Sequence, residues 1–248
     1  MAAKITRGLA VDTLVGQPAE EVVIRMRKFL FAVAVAGAAA MPTAGLGAPV
    51  GAATATWTVT PGAAFTQEGA AHHSHFTDTT TGTAFLCQGM KIAGSFKSGS
   101  GLTNPLGQIT AANGDGTGPL LCGSSASTEF GMTFSHFPMG IRAVSYHVST
   151  GTTTGVITGV HITLSTASGA PACTGTVDGT GPDANNGIVH FSFLNSGGVL
   201  HFNAGSNLHG YNVSGCGGLI HSGDAISYRV NTDPITVTGG MPNTITSP

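Results

Sequence analysis

The sequence predicts an all-β fold: an antiparallel β-sandwich or barrel of about a dozen short strands, after a cleaved N-terminal signal peptide. Charged residues make up only 8% of the chain, and residues that favour helices, such as Lys and Glu, are few. Thr and Val recur in short alternating segments that 38 glycines interrupt. The hydrophobic content of 41%, together with this alternation, favours a folded chain over a disordered one.

Alternation of apolar and polar side chains between turn residues places the candidate strands. They are residues 57–60, 83–87, 90–96, 129–134, 141–148, 155–164, 173–177, 188–194, 199–203, 208–213, 225–230 and 235–238. Glycine-rich turn signals lie between them, at residues 98–101, 113–116, 185–187 and 196–198.

A hairpin around the Ser196-Gly197 turn can be predicted in detail. Phe191 is expected to face Phe202, and Phe193 to face Leu200. A period of two residues places the following side chains on the opposite, wetted face: His190, Ser192, His201 and Asn203.

Two more strands are predicted to have one buried face. In residues 155–164 the predicted inward side chains are Val156, Val160, Ile162 and Leu164, and the outward ones are His161 and Thr163. In residues 141–148 the predicted inward side chains are Val144, Tyr146 and Val148, with His147 outward.

The N-terminal part has the layout of a secretory signal peptide. A positive segment containing Arg27 and Lys28 precedes an apolar run over residues 29–41, and an A-x-A pattern ends at Ala55. The apolar run has 13 residues, whereas a membrane span needs about 20, so we expect no stable membrane anchor.

The organisation that follows has three parts. Residues 1–25 are interpreted as an over-extended start, with Met26 as the true initiator, and residues 26–55 as the signal peptide. Residues 56–248 form a single β domain, which is expected to be secreted to the extracellular space.

The charge of the secreted part excludes one class of partner. Four basic residues stand against eight acidic ones, which leaves a formal charge of −4 with His neutral. Nucleic-acid binding requires clustered Lys and Arg, so no nucleic-acid partner is expected. The ligand and the oligomeric state remain open.

Four cysteines, an even number in an exported chain, predict two disulfides. Three connectivities are possible, and we favour the one that links sequence neighbours, Cys87 to Cys122 and Cys173 to Cys216. The spacing contains no C-x-x-C motif, which disfavours a cysteine zinc site.

The only concentrated metal-ligand signal is the run His72-His73-Ser74-His75. Imidazole binds Zn²⁺, Cu²⁺ and Ni²⁺, and in a strand His73 and His75 would share one face. A divalent metal held by His72, His73 and His75 is therefore one hypothesis. A solvated polar loop is the other, and with it no cofactor is expected.

The sequence contains no G-x-S-x-G elbow of a nucleophilic hydrolase. Ser, His and Asp are so frequent that a chance triad carries no weight. No catalytic residue is predicted, and the enzyme question stays open with a leaning against catalysis.

Several segments resemble an uncharacterised family of small secreted β-rich proteins of filamentous high-GC Gram-positive bacteria. They are residues 55–62, 173–179, 208–220, 223–225 and 245–248. The resemblance implies export and β-structure, and it transfers no catalytic residue.

These observations lead to a function hypothesis with two alternatives. The chain is predicted to be a secreted, non-enzymatic binding or envelope-associated β module with an extracellular ligand. A His-mediated metal-binding protein is the first alternative, and a secreted hydrolase with an unrecognised site is the second.

Overall fold

The computed structural model describes residues 55–68, 74–114, 118–123, 129–167, 172–230, 236–237 and 243–247. The predicted over-extended start and signal peptide lie outside the described residues, apart from Ala55. Within those residues the fold is all-β, as predicted, with one short 3₁₀ turn at Cys216–Gly218. No helix in the described ranges has the length and hydropathy that a membrane crossing requires.

Nineteen strands are described. They are β1 Trp57–Thr60, β2 Ala64–Glu68, β3 Ser74–Asp78, β4 Ala84–Cys87, β5 Lys91–Phe96, β6 Gly99–Leu102, β7 Gly107–Asn113, β8 Leu120–Gly123, β9 Glu129–Phe134, β10 Met139–His147, β11 Thr152–Val160, β12 Ile162–Thr166, β13 Cys173–Asp178, β14 Gly187–Leu194, β15 Val199–Ser206, β16 Leu208–Gly215, β17 Ala225–Val230, β18 Thr236–Val237 and β19 Thr244–Thr246.

Eight strands close on themselves as an antiparallel barrel in the order β16-β13-β12-β9-β8-β4-β3-β17, and β17 pairs back onto β16. Closure removes the free strand edges that an open sheet would expose. Three fully buried rings, Phe76, Phe85 and Phe130, pack together in it with centroids 4.9 to 6.1 Å apart. These edge-on and tilted ring contacts fill the barrel interior in a chain that has few aromatic residues.

The other strands of the large sheet continue from β17 in the order β15-β14-β11-β10-β7-β5-β2-β18, which we call the open sheet. Strands β19, β1 and β6 form a separate small sheet. The buried faces of barrel and open sheet belong to one hydrophobic cluster. An apolar cavity of about 20 Å³, lined by Phe134, Phe202 and Tyr228 among others, remains inside this cluster.

The chain passes from the open sheet into the barrel at Asn207, between β15 and β16. The Asn207 Oδ1 accepts a hydrogen bond from Ile188 N at 2.6 Å, and Asn207 N donates to Ile188 O at 3.2 Å. The Asn207 side chain therefore takes the place of a strand partner where the chain turns from β15 into β16, and the backbone N–H and C=O of Ile188 both stay hydrogen-bonded.

Both predicted disulfides are confirmed, and both lie in the barrel. Cys87 and Cys122 are directly opposite on β4 and β8. Cys173, at the start of β13, is bonded to Cys216, which follows β16. Each disulfide therefore ties strands that are already neighbours around the barrel.

The predicted hairpin is confirmed in register: Phe191 pairs with Phe202, and Phe193 pairs with Leu200. On the opposite face His190 is exposed, whereas the Nδ1 atom of His201 is buried without a hydrogen-bond partner in the structure. Burial lowers the pKa of His201 below its ordinary value.

Of the three side chains predicted to face inward in residues 141–148, Tyr146 packs against the core as predicted, and the prediction is wrong for Val144 and Val148. The pairing of β10 with β11 shifts between Ala143 and Ser145, so Val144 becomes the extra residue of a β-bulge. Val144 is 67% exposed and Val148 is 81% exposed, while Tyr146 is half-buried. The bulge changes the parity of the strand, so Ile141 and Ala143 face the core before it and Tyr146 faces the core after it.

The predicted strand 155–164 is two strands, β11 and β12, which join different parts of the fold. Ile157, not Val156, faces the core of the open sheet, and the register shifts at Gly159. His161, predicted to face outward into water, is only 2% exposed.

Glycines of the open sheet lie beneath phenylalanine rings of the neighbouring strand. Gly155 pairs with Phe191 and Gly94 pairs with Phe65. A Cβ atom on Gly155 would come within 2.7 Å of that ring, and a Cβ atom on Gly94 would come equally close to its own. Each ring thus covers the bare backbone opposite, which lets a glycine-rich sheet build a core from few aromatics.

Candidate functional site

The predicted metal ligands are not brought together in the described part of the chain. His72 and His73 lie outside it, and His75 lies half-buried on β3 opposite Arg229 of β17. A neighbouring cation opposes metal binding. Among the residues that the structure describes, no group of three or more His, Cys, Asp and Glu is arranged to hold a metal ion.

The most concentrated buried polar site is the pair His161 and Asp178, at one end of the barrel. His161 follows β11, Asp178 ends β13, and the two lie side by side because Ile162 pairs with Val177. The His161 Nδ1 lies 2.8 Å from the Asp178 Oδ2, and the Asp178 side chain is fully buried. The carboxylate only accepts, so Nδ1 carries the proton and donates it.

Asp178 also organises the loop between β13 and β14. Its Oδ1 accepts hydrogen bonds from the backbone N–H groups of Gly179, Asn186 and Gly187, and its Oδ2 accepts one from Asn185. Burial alone would raise the pKa of this carboxyl, but the hydrogen bonds from His161 and these N–H groups outweigh it and hold the pKa below its ordinary value.

The chemistry available at His161 is limited by its neighbours. The His136 ring stands edge-on to the His161 ring with centroids 4.6 Å apart. The Ser135 hydroxyl lies 3.2 Å from the His136 Nδ1 and makes no described hydrogen bond to His161. No nucleophile in the described residues is thus paired with the carboxylate-oriented imidazole, as a hydrolase triad requires. The hydrogen bonds of His161 and Asp178 instead anchor the loop between β13 and β14.

A second buried carboxyl, Asp78, ends β3 and has the Asp224 carboxyl, just before β17, as a charged neighbour. Asp78 Oδ1 accepts hydrogen bonds from Thr80 N and Thr81 N, and Asp224 Oδ2 accepts one from His221 N at 2.6 Å. Burial, together with the neighbouring Asp224 carboxyl, raises the pKa of Asp78. Burial alone would also raise the pKa of Asp224, but its hydrogen bonds with Asp78 and His221 outweigh burial and lower that pKa. Each of the two carboxyls anchors a turn.

The site with room for a ligand is a groove of about 390 Å³ on the outer face of the open sheet. Its floor is the outer surface of β5, β7 and β10, where Gly140 has no side chain to cover the backbone. Proline rings, Pro105 and Pro138, lie along it. The complete lining is Ser95, Phe96, Lys97, Pro105, Gly107, Gln108, Pro138, Met139 and Gly140. The volume lies within the range of small-molecule sites.

The pairing of strands aligns the polar groups of the groove. Ser95 pairs with Gln108, and Gln108 pairs with Gly140, so the Ser95 hydroxyl and the Gln108 amide lie in one row across the sheet. The loop that carries Pro105 is fixed because the Asn104 side chain accepts from Ala143 N at 2.8 Å and donates to Ala143 O at 2.7 Å. The sequence pattern did not reveal this groove, because its lining comes from three separate segments.

Comparison of the chain with protein families, with curated proteins and with solved structures finds no match in any of the three.

Proposed function

We propose that this protein is a secreted, non-enzymatic binding or envelope-associated β module, and that its extracellular ligand lies in the groove on the open sheet. The observation that carries the proposal is the groove itself. It combines a backbone floor, rigid proline sides and hydrogen-bonding side chains, Ser95 and Gln108, at a volume suited to a small ligand or a polymer segment.

The polar chemistry of the groove favours binding over catalysis. Among its described lining residues, Lys97 carries the one titratable side chain. The oriented imidazole of His161 and the carboxyls of Asp78 and Asp224 lie in the barrel instead, where they anchor turns. General acid–base catalysis needs a titratable group within hydrogen-bond reach of the substrate, so this separation supports a binding role.

Export is part of the proposal, together with membership of the secreted bacterial family that the sequence resembles. The two disulfides are consistent with an oxidising, extracellular environment. They support a released β domain that follows a signal peptide.

Co-sedimentation with insoluble cell-wall fractions of a filamentous Gram-positive bacterium tests the binding function. Gln108 is exposed, so Gln108→Trp fills the groove without burying a new side chain in the core. Thr110→Trp is the matched control, because Thr110 is exposed on the same strand and lies outside the groove lining.

We expect the native protein and Thr110→Trp to sediment with the wall polymer, and Gln108→Trp to remain in solution. Equal retention of both variants would place the binding surface elsewhere and contradict the proposal. Absence of retention from all wall fractions, or release of soluble fragments by the native protein, would contradict it as well.

A further inference from the structure

We propose that the groove takes an acidic oligosaccharide, with one carboxylate near Lys97 and another near Arg142. This inference names the ligand class of the groove and rests on the proposed function. The evidence is the placement of two basic residues in a protein that has few of them.

Both basic side chains point to the outer face of the open sheet. Lys97 is exposed and follows buried Phe96, and Arg142 is exposed and lies between buried Ile141 and Ala143. Because side chains alternate along a strand, both lie on the face that carries the groove.

The two residues lie in one row across the sheet, with one strand position between them. Ser95 of β5 and Gly140 of β10 both pair with Gln108 of β7, which runs antiparallel to each of them. Lys97 and Arg142 follow Ser95 and Gly140 by two residues in the same direction, so one strand position, that of the buried Leu106, lies between them. Neighbouring strands are about 4.8 Å apart, which places the two backbone positions about 10 Å apart. Pro105, a groove-lining residue, precedes Leu106 in this interval.

The charges of both residues are available to a ligand. Neither Lys97 nor Arg142 makes an ion pair with a described carboxylate, whereas Lys91 is paired with Glu68 at 2.6 Å. In a secreted part with four basic and eight acidic residues, two unpaired cations beside one groove provide local complementarity to an anion.

The remaining groove surface favours a sugar ring over a flexible phosphate chain. The exposed rings of Pro105 and Pro138 present apolar surface for the C–H face of a sugar ring, and the Ser95 hydroxyl and the Gln108 amide can bond its hydroxyl groups. A linear poly(glycerol phosphate) would satisfy the cations and leave the apolar sides unused.

Calorimetric titration with oligogalacturonate tests the inference, with the fully methyl-esterified oligomer as the neutral probe and poly(glycerol phosphate) as the competing anion. The variants are Lys97→Gln and Arg142→Gln. Arg229→Gln is the matched control, because it removes the same charge from an exposed barrel position.

We expect the acid to bind more tightly than its ester and than the phosphate polymer. Each groove variant should weaken binding of the acid about tenfold, as for the loss of one charge-assisted hydrogen bond, and Arg229→Gln should bind as the native protein does. Equal binding of acid and ester, a preference for the phosphate polymer, or an equal loss in Arg229→Gln would overturn the inference.

The outcomes also separate this inference from the proposed function. If the ester binds as tightly as the acid and Gln108→Trp abolishes both, the groove is a binding site and only the anionic ligand is wrong. If the native protein retains no wall polymer and no oligosaccharide, both proposals fail.

Discussion

The barrel and the open sheet share one hydrophobic core, yet they are stabilised by different means. The barrel closes its strand edges and contains both disulfides. The open sheet has no disulfide among its described residues; it relies on phenylalanine rings over glycines and on asparagine side chains that replace strand partners, as Asn104 does with Ala143. The disulfides and the carboxyls that anchor turns therefore lie in the barrel, and the groove lies on the open sheet.

The two regions use their polar side chains differently. Inside the barrel, buried carboxyls hold turns: both oxygens of Asp178 accept hydrogen bonds from its loop, and the Asp78 Oδ1 accepts them from Thr80 and Thr81. The outer face of the open sheet keeps its polar side chains in water, where a ligand can reach them. Four predictions test this contrast, from the largest expected effect to the smallest.

Removal of both disulfides is expected to have the largest effect. Each closes a loop of 35 or 43 residues, and the chain-entropy relation values each at about 4 kcal/mol. Replacing each cysteine pair by alanines should therefore lower the free energy of unfolding by about 4 kcal/mol per pair. Denaturant unfolding followed at the single tryptophan, buried Trp57, measures it.

Amide hydrogen exchange measures which strands lose stability when the disulfides are removed. We expect barrel strands to lose more protection than strands of the open sheet, because both crosslinks lie in the barrel. Equal loss in both regions would show that they unfold as one unit, and would remove the contrast in stability.

The second prediction concerns Asp178, which accepts five hydrogen bonds in the barrel. Asp178→Ala leaves four backbone N–H groups and the His161 Nδ1 without their acceptor, and should cost about 3–5 kcal/mol of stability. Chemical denaturation measures the loss. Asp183→Ala is the control, because its exposed carboxylate is 3.8 Å from the His161 Nε2; a comparable loss there would contradict the anchor role.

Asp178 also contributes a pH dependence with a definite sign. Its folded-state pKa lies below the ordinary value of 3.8, so its contribution is present above that value and is lost as the pH falls through the folded pKa. The difference in stability between the native protein and Asp178→Ala should therefore shrink below about pH 4.

The third prediction tests the glycine–aromatic packing of the open sheet. A Cβ atom on Gly155 would come within 2.7 Å of the Phe191 ring and 2.2 Å of the Arg142 carbonyl oxygen. Gly155→Ala should cost about 1–3 kcal/mol by overpacking, measured by thermal or chemical denaturation. Gly151→Ala is unsuitable as a control because its φ is +63°, whereas Gly181→Ala meets no atom within 4 Å at an ordinary φ and should be nearly neutral.

The smallest effect is expected at Asp78. Its pKa is raised by burial and by Asp224, so its contribution to stability is full below pH 3.8 and is lost as the pH rises through the folded pKa. Asp78→Asn keeps an acceptor for Thr80 and Thr81 and supplies an N–H donor towards Asp224. We expect stability at pH 7 to change by no more than about 1 kcal/mol.

The pH dependence of stability tests whether the folded-state pKa of Asp78 is raised. Between pH 4 and pH 7 the native protein should lose stability relative to Asp78→Asn, because only the native carboxyl must give up its proton. Parallel profiles for the two proteins, measured by denaturation across this range, would show that Asp78 holds no proton in the folded state.

Short-range patterns predicted much of the fold. Strands β1, β9 and β17 begin and end at the predicted residues, and the Phe191–Phe202 pairing follows from alternation around one turn. Strands β2, β3, β6, β7, β8 and β19 were missed. In β2, β3 and β7 the Thr, Ser and Gln content resembles that of loops, and β8 and β19 have only four and three residues. The 98–101 turn signal is instead part of β6, where glycines take up left-handed backbone conformations.

The candidate site was predicted less well than the fold. His161 follows an alternating pattern that predicts exposure, but it is buried beside the Asp178 carboxylate and the His136 ring. Neither His161 nor Asp178 signals the other locally, since the contact depends on the pairing of β12 with β13. The predicted histidine site at residues 72–75 stays a prediction at His72 and His73.

The sequence by itself determined the all-β class, the two disulfides and the aromatic hairpin, because composition, cysteine count and alternation act over short stretches of chain. The tertiary structure decided the closure of the barrel, the burial of His161 with Asp178, and the groove over β5, β7 and β10. Each of these depends on which strands lie side by side and where a bulge shifts their register, and pairing between distant strands is set by the packing of the whole core.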